Sequence, residues 1–378
     1  TTSRRLILDG TLPTRLLLLL AGAVLLSVPF AYWRSAALDG FIDFLKLVVW
    51  YVLVVHLVDT RRRLQVFLFL FLGLVSWIAF DSFRAYLSGQ FKYAQGIERV
   101  VGRTDAGGDP NHLAATMSAT IPILLLLTFH QRNLLLRAAA AASGILMTVT
   151  MLLTGSRSGL LAFLAGLIFL WWGARHRLLL LLAGITVAAA AATALPEQYR
   201  ERYSTIGRST LDGSSQGRVE VWQKGLRMMV DRPLTGVGIS CFGIANSIRY
   251  SPEFQPSFLE SHSLYVQVPA EIGPAGAFLF FAFLFAVFRS ARGLRRRFAA
   301  TGPAWGFEAA LLRGLAAAMV GLLVAGVFGH SFLRHTWYVY AAIVTVILRL
   351  YARAPAVESP PRTRTATGIL RAGPRKPD

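Results

Sequence analysis

The chain has 378 residues, of which 54% are hydrophobic and only 15% are charged, and its mean hydropathy is positive. Soluble domains have closer to a quarter charged residues, so the composition excludes an ordinary soluble protein and indicates a membrane protein. The net charge of +20 comes from 35 Arg and four Lys against 19 acidic residues. These basic residues are dispersed between apolar runs, which does not fit a nucleic-acid-binding surface and does fit the basic bias of cytoplasmic loops.

Apolar runs of sufficient length predict the membrane topology. A helix needs about 20 mostly apolar residues to cross a bilayer, and ten segments approach this length. We therefore predict an all-α integral membrane protein with about ten transmembrane helices and one large loop that contains short helices. The predicted spans are Arg15–Trp33, Phe41–Val58, Leu64–Phe80, His112–Phe129, Leu134–Thr154, Ser158–Trp172, Leu178–Ala194, Ser263–Phe288, Glu308–Phe332 and Thr336–Tyr351.

Basic clusters at every second junction predict the orientation of these spans. The clusters are Arg4-Arg5, Arg61 to Arg63, Arg132 to Arg137, Arg175 to Arg177, Arg289 to Arg297 and the tail after Arg353. The positive-inside rule then places both termini in the cytoplasm. The first seven spans fall in residues 1–194, with an external segment at 81–111, and the last three in 263–353.

Two segments outside the spans have distinct compositions. Residues 195–262 form the long external loop, in which Gln216 to Val230 has helical spacing and stops before Pro233. Residues 354–378 are rich in Pro, Arg and Thr, which predicts a disordered basic cytoplasmic tail.

The segment Thr154-Gly155-Ser156-Arg157-Ser158-Gly159 joins two antiparallel spans at their external end. Ser156 is suited to cap the following helix, whose N-terminal N–H groups attract anions. Arg157 adds a forked donor that matches phosphate oxygens. An arginine on the external side opposes the charge bias, which favours a functional role, although an arginine that reaches the lipid headgroups is the alternative.

Two further residues near the long loop are candidates for catalysis. Arg218 shares a helix face with Trp222 one turn later, and it either completes a diphosphate clamp or is a solvated charge paired with Glu220 or Asp212. His262 precedes a span, where the positive end of the helix disfavours its protonated form. A neutral imidazole can accept a proton from a sugar hydroxyl; the alternative is an interfacial histidine bonded to headgroups or to Glu260.

Other features limit the chemistry. Lys46 lies about two turns from the external end of its span, where it either neutralises Asp43 or reaches a phosphate. The sequence has no Asp-x-Asp pair, no His/Glu cluster with metal-ligand spacing and no Gly-Lys-Ser/Thr phosphate-binding motif. We therefore expect no metal, no cofactor and no nucleotide, so a transferase of this kind requires a donor that is already activated.

Several motifs together resemble the O-antigen ligase family of bacterial membrane glycosyltransferases. They occur in the family's order and cover roughly Arg99 to Gly276. The motifs are Gly108-Asp109-Pro110-Asn111-His112-Leu113-Ala114, Leu153-Thr154-Gly155-Ser156-Arg157-Ser158-Gly159, Pro233-Leu234-Thr235-Gly236-Val237-Gly238, and His262-Ser263-Leu264-Tyr265 followed by Glu271-Ile272-Gly273 and Gly276. The family more often has about twelve spans, against the ten predicted here.

The resemblance implies a GT-C-like fold in the bacterial inner membrane with a periplasmic active site. It implies transfer of a glycan from undecaprenyl diphosphate to an acceptor hydroxyl without metal or ATP. Arg157, Arg218 and His262 match the family's turn arginine, loop-helix arginine and essential histidine. Lys46, Arg99, Asn111 and Tyr265 are candidate substrate-binding residues.

Three acceptors fit these motifs. A ligase transfers the glycan to lipid A–core, a polymerase to another repeat unit, and a protein oligosaccharyltransferase to Ser or Thr. We rank the ligase first because the long loop suits a bulky lipid-linked acceptor. A lipid flippase or transporter is the alternative from another class, and it requires a line of charges across the bilayer.

Overall fold

The computed structural model describes residues 10–102, 108–174, 176–178, 181–182, 185–186, 193–206, 213–251, 258–301, 303–329 and 332–353. In these residues the chain forms helices α1 (Leu12–Ser27), α2 (Arg34–Leu57), α3 (Arg61–Leu87), α4 (Pro110–His130), α5 (Leu134–Leu153), α6 (Arg157–Trp172), α7 (Glu197–Ser204), α8 (Gly213–Asp231), α9 (Phe242–Ala245), α10 (Leu264–Thr301), α11 (Gly306–Ala325) and α12 (His335–Arg353). A π-helical turn covers Asn246–Tyr250 and a 3₁₀ turn covers Pro303–Trp305.

The apolar helices confirm a helical membrane protein. By length and composition, α2, α3, α4, α5, α10 and α11 are able to cross a membrane, and α1 and α6 are shorter apolar helices. The predicted total of ten spans is not established by these helices. Most of the predicted seventh span, Leu178–Ala194, and the predicted tail at 354–378 lie outside the described residues.

The external segment predicted at 81–111 contains more regular structure than expected. Helix α3 continues to Leu87, and strands β1 (Lys92–Ala94) and β2 (Ile97–Arg99) follow as an antiparallel hairpin. Gln95 and Gly96 at its tip both have positive φ, as the two central residues of a type I′ turn require. The Gln95-Gly96 pair was the available sequence signal for this hairpin.

The packed core lies among α1, α2, α10 and α12. Phe332, just before α12, stacks on Phe44 of α2 at 5.2 Å and meets the edge of Phe280 of α10 at 5.1 Å. The hydroxyl of Tyr51 bonds to Thr14 of α1 and Thr345 of α12 in the same region. A second group of helices, in which α4 packs against α5, α6 and α11, completes the bundle.

Helix α10 is kinked in its third turn, and the kink explains two of the sequence motifs. Gly273 has φ 72°, a conformation that favours glycine, and Pro274 has no N–H to donate to Ala270. The freed carbonyl of Ala270 instead accepts from the N–H of Val237 at 2.8 Å, and that of Glu271 from Gly238 at 2.9 Å. The Pro233–Gly238 motif therefore supplies the backbone donors that the broken helix lacks.

Candidate functional site

The turn between α5 and α6 presents Arg157 at the first position of α6. Gly155 has φ 59°, and a Cβ there would lie 2.3 Å from Ile97 of the hairpin, so only glycine fits. The hydroxyl of Ser156 accepts from the N–H of Gly159 at 3.1 Å, which is the predicted helix cap. Arg157 is half-buried beside the remaining N–H groups of this helix end.

A hydrogen-bond network fixes this turn to the hairpin and to α4. The buried Arg99 donates from Nε to the carbonyl of Thr154 at 2.7 Å and from Nη2 to Asn111 Oδ1 at 3.0 Å. The same Asn111 oxygen accepts from the Ser156 hydroxyl at 2.9 Å. Burial lowers the pKa of Arg99 to about 10. The geometry accounts for Arg99 and Asn111 as supports of the Arg157 turn, and their predicted contact with substrate stays a prediction.

Helix α8 carries Arg218 and is attached directly to the segment that precedes α10. The helix predicted at Gln216 to Val230 is present; Val221 and Met228 are buried, whereas Val219 and Leu226, which gave the predicted spacing, are exposed. The indole of Trp222 donates to the carbonyl of Ser261 at 2.8 Å. Because Trp222 lies one turn after Arg218 on the same face, this bond holds the Arg218 face of the helix toward His262, the next residue after Ser261.

His262 lies two residues before α10 in a left-handed conformation, with φ 48°. This conformation is uncommon outside glycine, and such residues occur preferentially at functional sites. Its neighbours are fixed: the Ser261 hydroxyl accepts from the N–H of Ser263 at 3.1 Å and donates to Gln267 Oε1 at 3.1 Å. The partly exposed imidazole is therefore presented by a well-bonded backbone.

The electrostatic effects place Arg218 near Arg157 and near His262. Partial burial and the positive charge of Arg218 lower the pKa of His262, and the carboxylate of Asp109 raises it. Partial burial and the positive charge of Arg157 lower the pKa of Arg218, and Asp109 again raises it. The fold therefore brings Arg157, Arg218 and His262 together with one carboxylate.

Two charged residues at this end of the bundle were not among the predicted site residues. Asp109 caps α4 by accepting from the N–H of Asn111 at 2.8 Å. Its charge also partly offsets the lowering by burial of the pKa values of Arg99, Arg218, His262 and Arg334. The buried Arg334 donates to Thr116 Oγ1 at 3.0 Å. The signal for Arg334 was its position on the predicted external side, where the charge bias also singled out Arg157.

The structure places Lys46 and Tyr265 in other contacts. Lys46 Nζ donates to Asp43 at 2.8 Å, and both side chains are more than half exposed. The Tyr265 hydroxyl donates to the carbonyl of Leu323 at 2.9 Å, and its ring stacks on Phe281. These contacts do not bring Lys46 or Tyr265 into the cluster of Arg157, Arg218 and His262. Their contact with substrate stays a prediction.

The described part of the chain contains no group of three or more His, Cys, Asp or Glu residues placed to hold a metal ion. The site contains guanidinium groups, one imidazole and the carboxylate of Asp109. The guanidinium groups and the imidazole are suited to phosphate oxygens and to the transfer of a proton.

The fold and the cluster define a polytopic helical membrane protein with a cationic site at one end of its bundle. In a comparison with known families, residues 142–281 match the family model described as O-Antigen ligase, which confirms the resemblance to that family. The matched segment contains Arg157, Arg218 and His262. The family supports an enzyme of the ligase or polymerase type that transfers glycans. No curated protein matches the chain significantly.

Proposed function

We propose that this protein is an O-antigen ligase. It transfers a preassembled glycan from undecaprenyl diphosphate to a sugar hydroxyl of lipid A–core at the periplasmic face of the inner membrane. The observation that carries the proposal is the convergence of Arg157, Arg218 and His262, which come from three separate segments and meet at one end of the bundle. The basic clusters at the other end of the helices support a periplasmic orientation for this site.

The two arginines bind the diphosphate of the donor. Negative charge develops on the diphosphate as the glycosidic bond breaks, and cationic donors that are already in position stabilise it. Arg157 contributes its guanidinium together with the N–H groups at the start of α6. Arg218 approaches from α8, and the repulsion between the two cations is relieved when the dianionic group binds between them.

His262 accepts the proton of the acceptor hydroxyl. Its lowered pKa keeps the imidazole neutral at neutral pH, as a general base must be. The hydroxyl oxygen forms a bond to the anomeric carbon as the bond from that carbon to the diphosphate oxygen breaks. The proton passes to His262, the bond electrons leave with the lipid diphosphate, and the configuration at the anomeric carbon inverts. No metal or nucleotide takes part in this mechanism.

The distribution of buried charge favours surface chemistry over transport. Among the described residues, the buried charged side chains are Arg99, Glu271, Glu308 and Arg334. Each lies in a connecting segment or within the first turns of a helix rather than at mid-span. A transport path needs polar groups near the bilayer midplane.

The test uses purified protein in detergent with an undecaprenyl-diphosphate-linked glycan, and with lipid A–core and free donor as competing acceptors in the presence of EDTA. We expect the glycan on lipid A–core. Lengthening of the donor-linked glycan would instead identify a polymerase. No transfer to either acceptor, followed by transfer to a Ser or Thr peptide, would identify a protein oligosaccharyltransferase.

Three variants test the assigned roles in the same assay. His262→Ala should abolish transfer and leave donor binding intact, whereas Arg157→Ala and Arg218→Ala should weaken both. Exposed residues supply matched controls: His176→Ala for the histidine and Arg227→Ala, on α8 itself, for Arg218. Near wild-type turnover in His262→Ala would remove this residue from the role of base.

A further inference from the structure

A cavity of about 330 Å³ lies at the end of the bundle opposite His262. It lies among α4, α10, α11 and the 3₁₀ turn before α11, and its lining includes Arg295 and Arg313. Arg313 donates to the carbonyl of Leu170, near the end of α6. Because Arg157 begins that helix, about 20 Å of helix separates the cavity from the site already described.

The two arginines are held in the cavity without a carboxylate. Arg295 and Arg313 are both half-buried and lie close enough to repel each other. Among the described residues neither forms an ion pair, and the nearby acid at the start of α11, Glu308, bonds to Arg61 at 3.2 Å. Two like charges in a partly desolvated cavity favour the binding of an anion.

The remaining walls are largely apolar. The buried rings of Phe298 and Trp305 stack at 4.8 Å. The guanidinium of Arg61 lies 3.6 Å above the Trp305 ring, and Leu126 of α4 also lines the cavity. A cavity with two forked cations and aromatic walls matches an anion that carries an apolar group.

The depth of the cavity agrees with the headgroup region of a bilayer. Arg313 lies seven residues after the start of α11, which is about 10 Å along a helix able to span a membrane. The interfacial layer between the hydrocarbon core and water is of this order. A lipid phosphate reaches this depth with its acyl chains still in the bilayer.

We propose that the cavity around Arg295 and Arg313 binds the phosphate of an anionic phospholipid in the leaflet opposite the glycan-transfer site. The guanidinium groups bind the phosphate oxygens, and the glycerol and the first acyl carbons lie against Phe298, Trp305 and Leu126. This lipid site uses none of the residues assigned to glycan transfer and stands whether or not the proposed function does.

The test counts phosphatidylglycerol bound to the delipidated protein by native mass spectrometry across a lipid titration. The double variant R295Q/R313Q should weaken the tightest-bound lipid at least tenfold. R296Q, an exposed arginine on the same helix, should bind as the wild type does. Equal retention of phosphatidylglycerol by the double variant would overturn the proposal.

Two further probes identify the chemistry of the ligand. Phosphatidylcholine has the phosphate and a compensating cation, so it should bind more weakly, and equal binding would overturn the assignment to anionic lipid. Inorganic phosphate should not displace the bound lipid at millimolar concentration; displacement would show a site for free anions. If R295Q/R313Q does not fold, R295K/R313K keeps the charge, loses the fork and should weaken binding to a lesser extent.

Discussion

Arg157 and Arg218 face the same proposed diphosphate, but the two halves of the site are held in different ways. The Arg157 turn is fixed by a buried network in which Arg99, Asn111 and Ser156 bond to one another and to the backbone. Helix α8 relies on apolar packing, on the bond from Trp222 to Ser261, and on bonds in its C-terminal half from Tyr250 to Asp231 and from Lys224 to Ser251. We infer that the Arg157 half is a rigid anchor and that the Arg218 half adjusts more easily to the bound donor.

The largest effect should come from removal of either arginine. Arg157→Ala and Arg218→Ala should each lower the transfer rate by about 100-fold or more, since each removes a charged donor from the departing diphosphate. The lysine variants sharpen the comparison in single-turnover transfer assays. Arg157→Lys should remain near the alanine level because its rigid turn cannot adjust, whereas Arg218→Lys should recover part of the rate. Equal recovery by both would contradict the difference in rigidity.

The next largest effect concerns stability in the Arg157 half. Arg99→Leu should lower the free energy of unfolding by about 2–3 kcal/mol, because it leaves the buried acceptors Thr154 O and Asn111 Oδ1 without their charged donor. The measurement is thermal unfolding in detergent, followed by tryptophan fluorescence. Arg200→Leu, an exposed residue of α7, is the control. Unchanged stability of Arg99→Leu with lost donor affinity would return Arg99 to the role of a substrate contact.

The corresponding change in the Arg218 half should lower the free energy of unfolding less than Arg99→Leu does. Trp222→Phe removes one hydrogen bond, which corresponds to about 1 kcal/mol. It should lower kcat about tenfold, because the face that carries Arg218 loses its alignment with His262. Trp77→Phe, at an exposed position of α3, is the control. A loss of stability without any change in kcat would show that Trp222 has only a structural role.

The smallest effect is a pair of opposite pH shifts. Because the pKa of His262 lies below its usual value of 6.5, kcat/KM should be constant near neutral pH and fall only in more acidic solution. Asp109→Asn removes a charge that raises this pKa, so the acidic limb should move to lower pH. Arg218→Gln removes a charge that lowers it, so the limb of the residual activity should move to higher pH. Shifts in the same direction would show that His262 is not the group that titrates.

Local sequence signals predicted several elements well. The Ser156 cap, the helix at Gln216 to Val230 and most of the apolar spans depend on residues within a few positions of one another, and all are present. The Pro233–Gly238 and Glu271–Gly273 motifs resemble the ligase family, but their mutual contact could not be read from either one. It exists because Pro274 frees a carbonyl that another segment must satisfy.

The sequence by itself determined the class of protein, the apolar helices and the types of residue able to bind a diphosphate and to accept a proton. These depend on composition and on short-range periodicity. Only the tertiary structure decided which side chains meet. Arg99 and Asn111 bond to the Arg157 turn, Asp109 and Arg334 lie near each other at the same end of the bundle, and Tyr265 packs against α11. Such contacts join residues far apart in the chain, so they follow from the packing of helices rather than from local pattern.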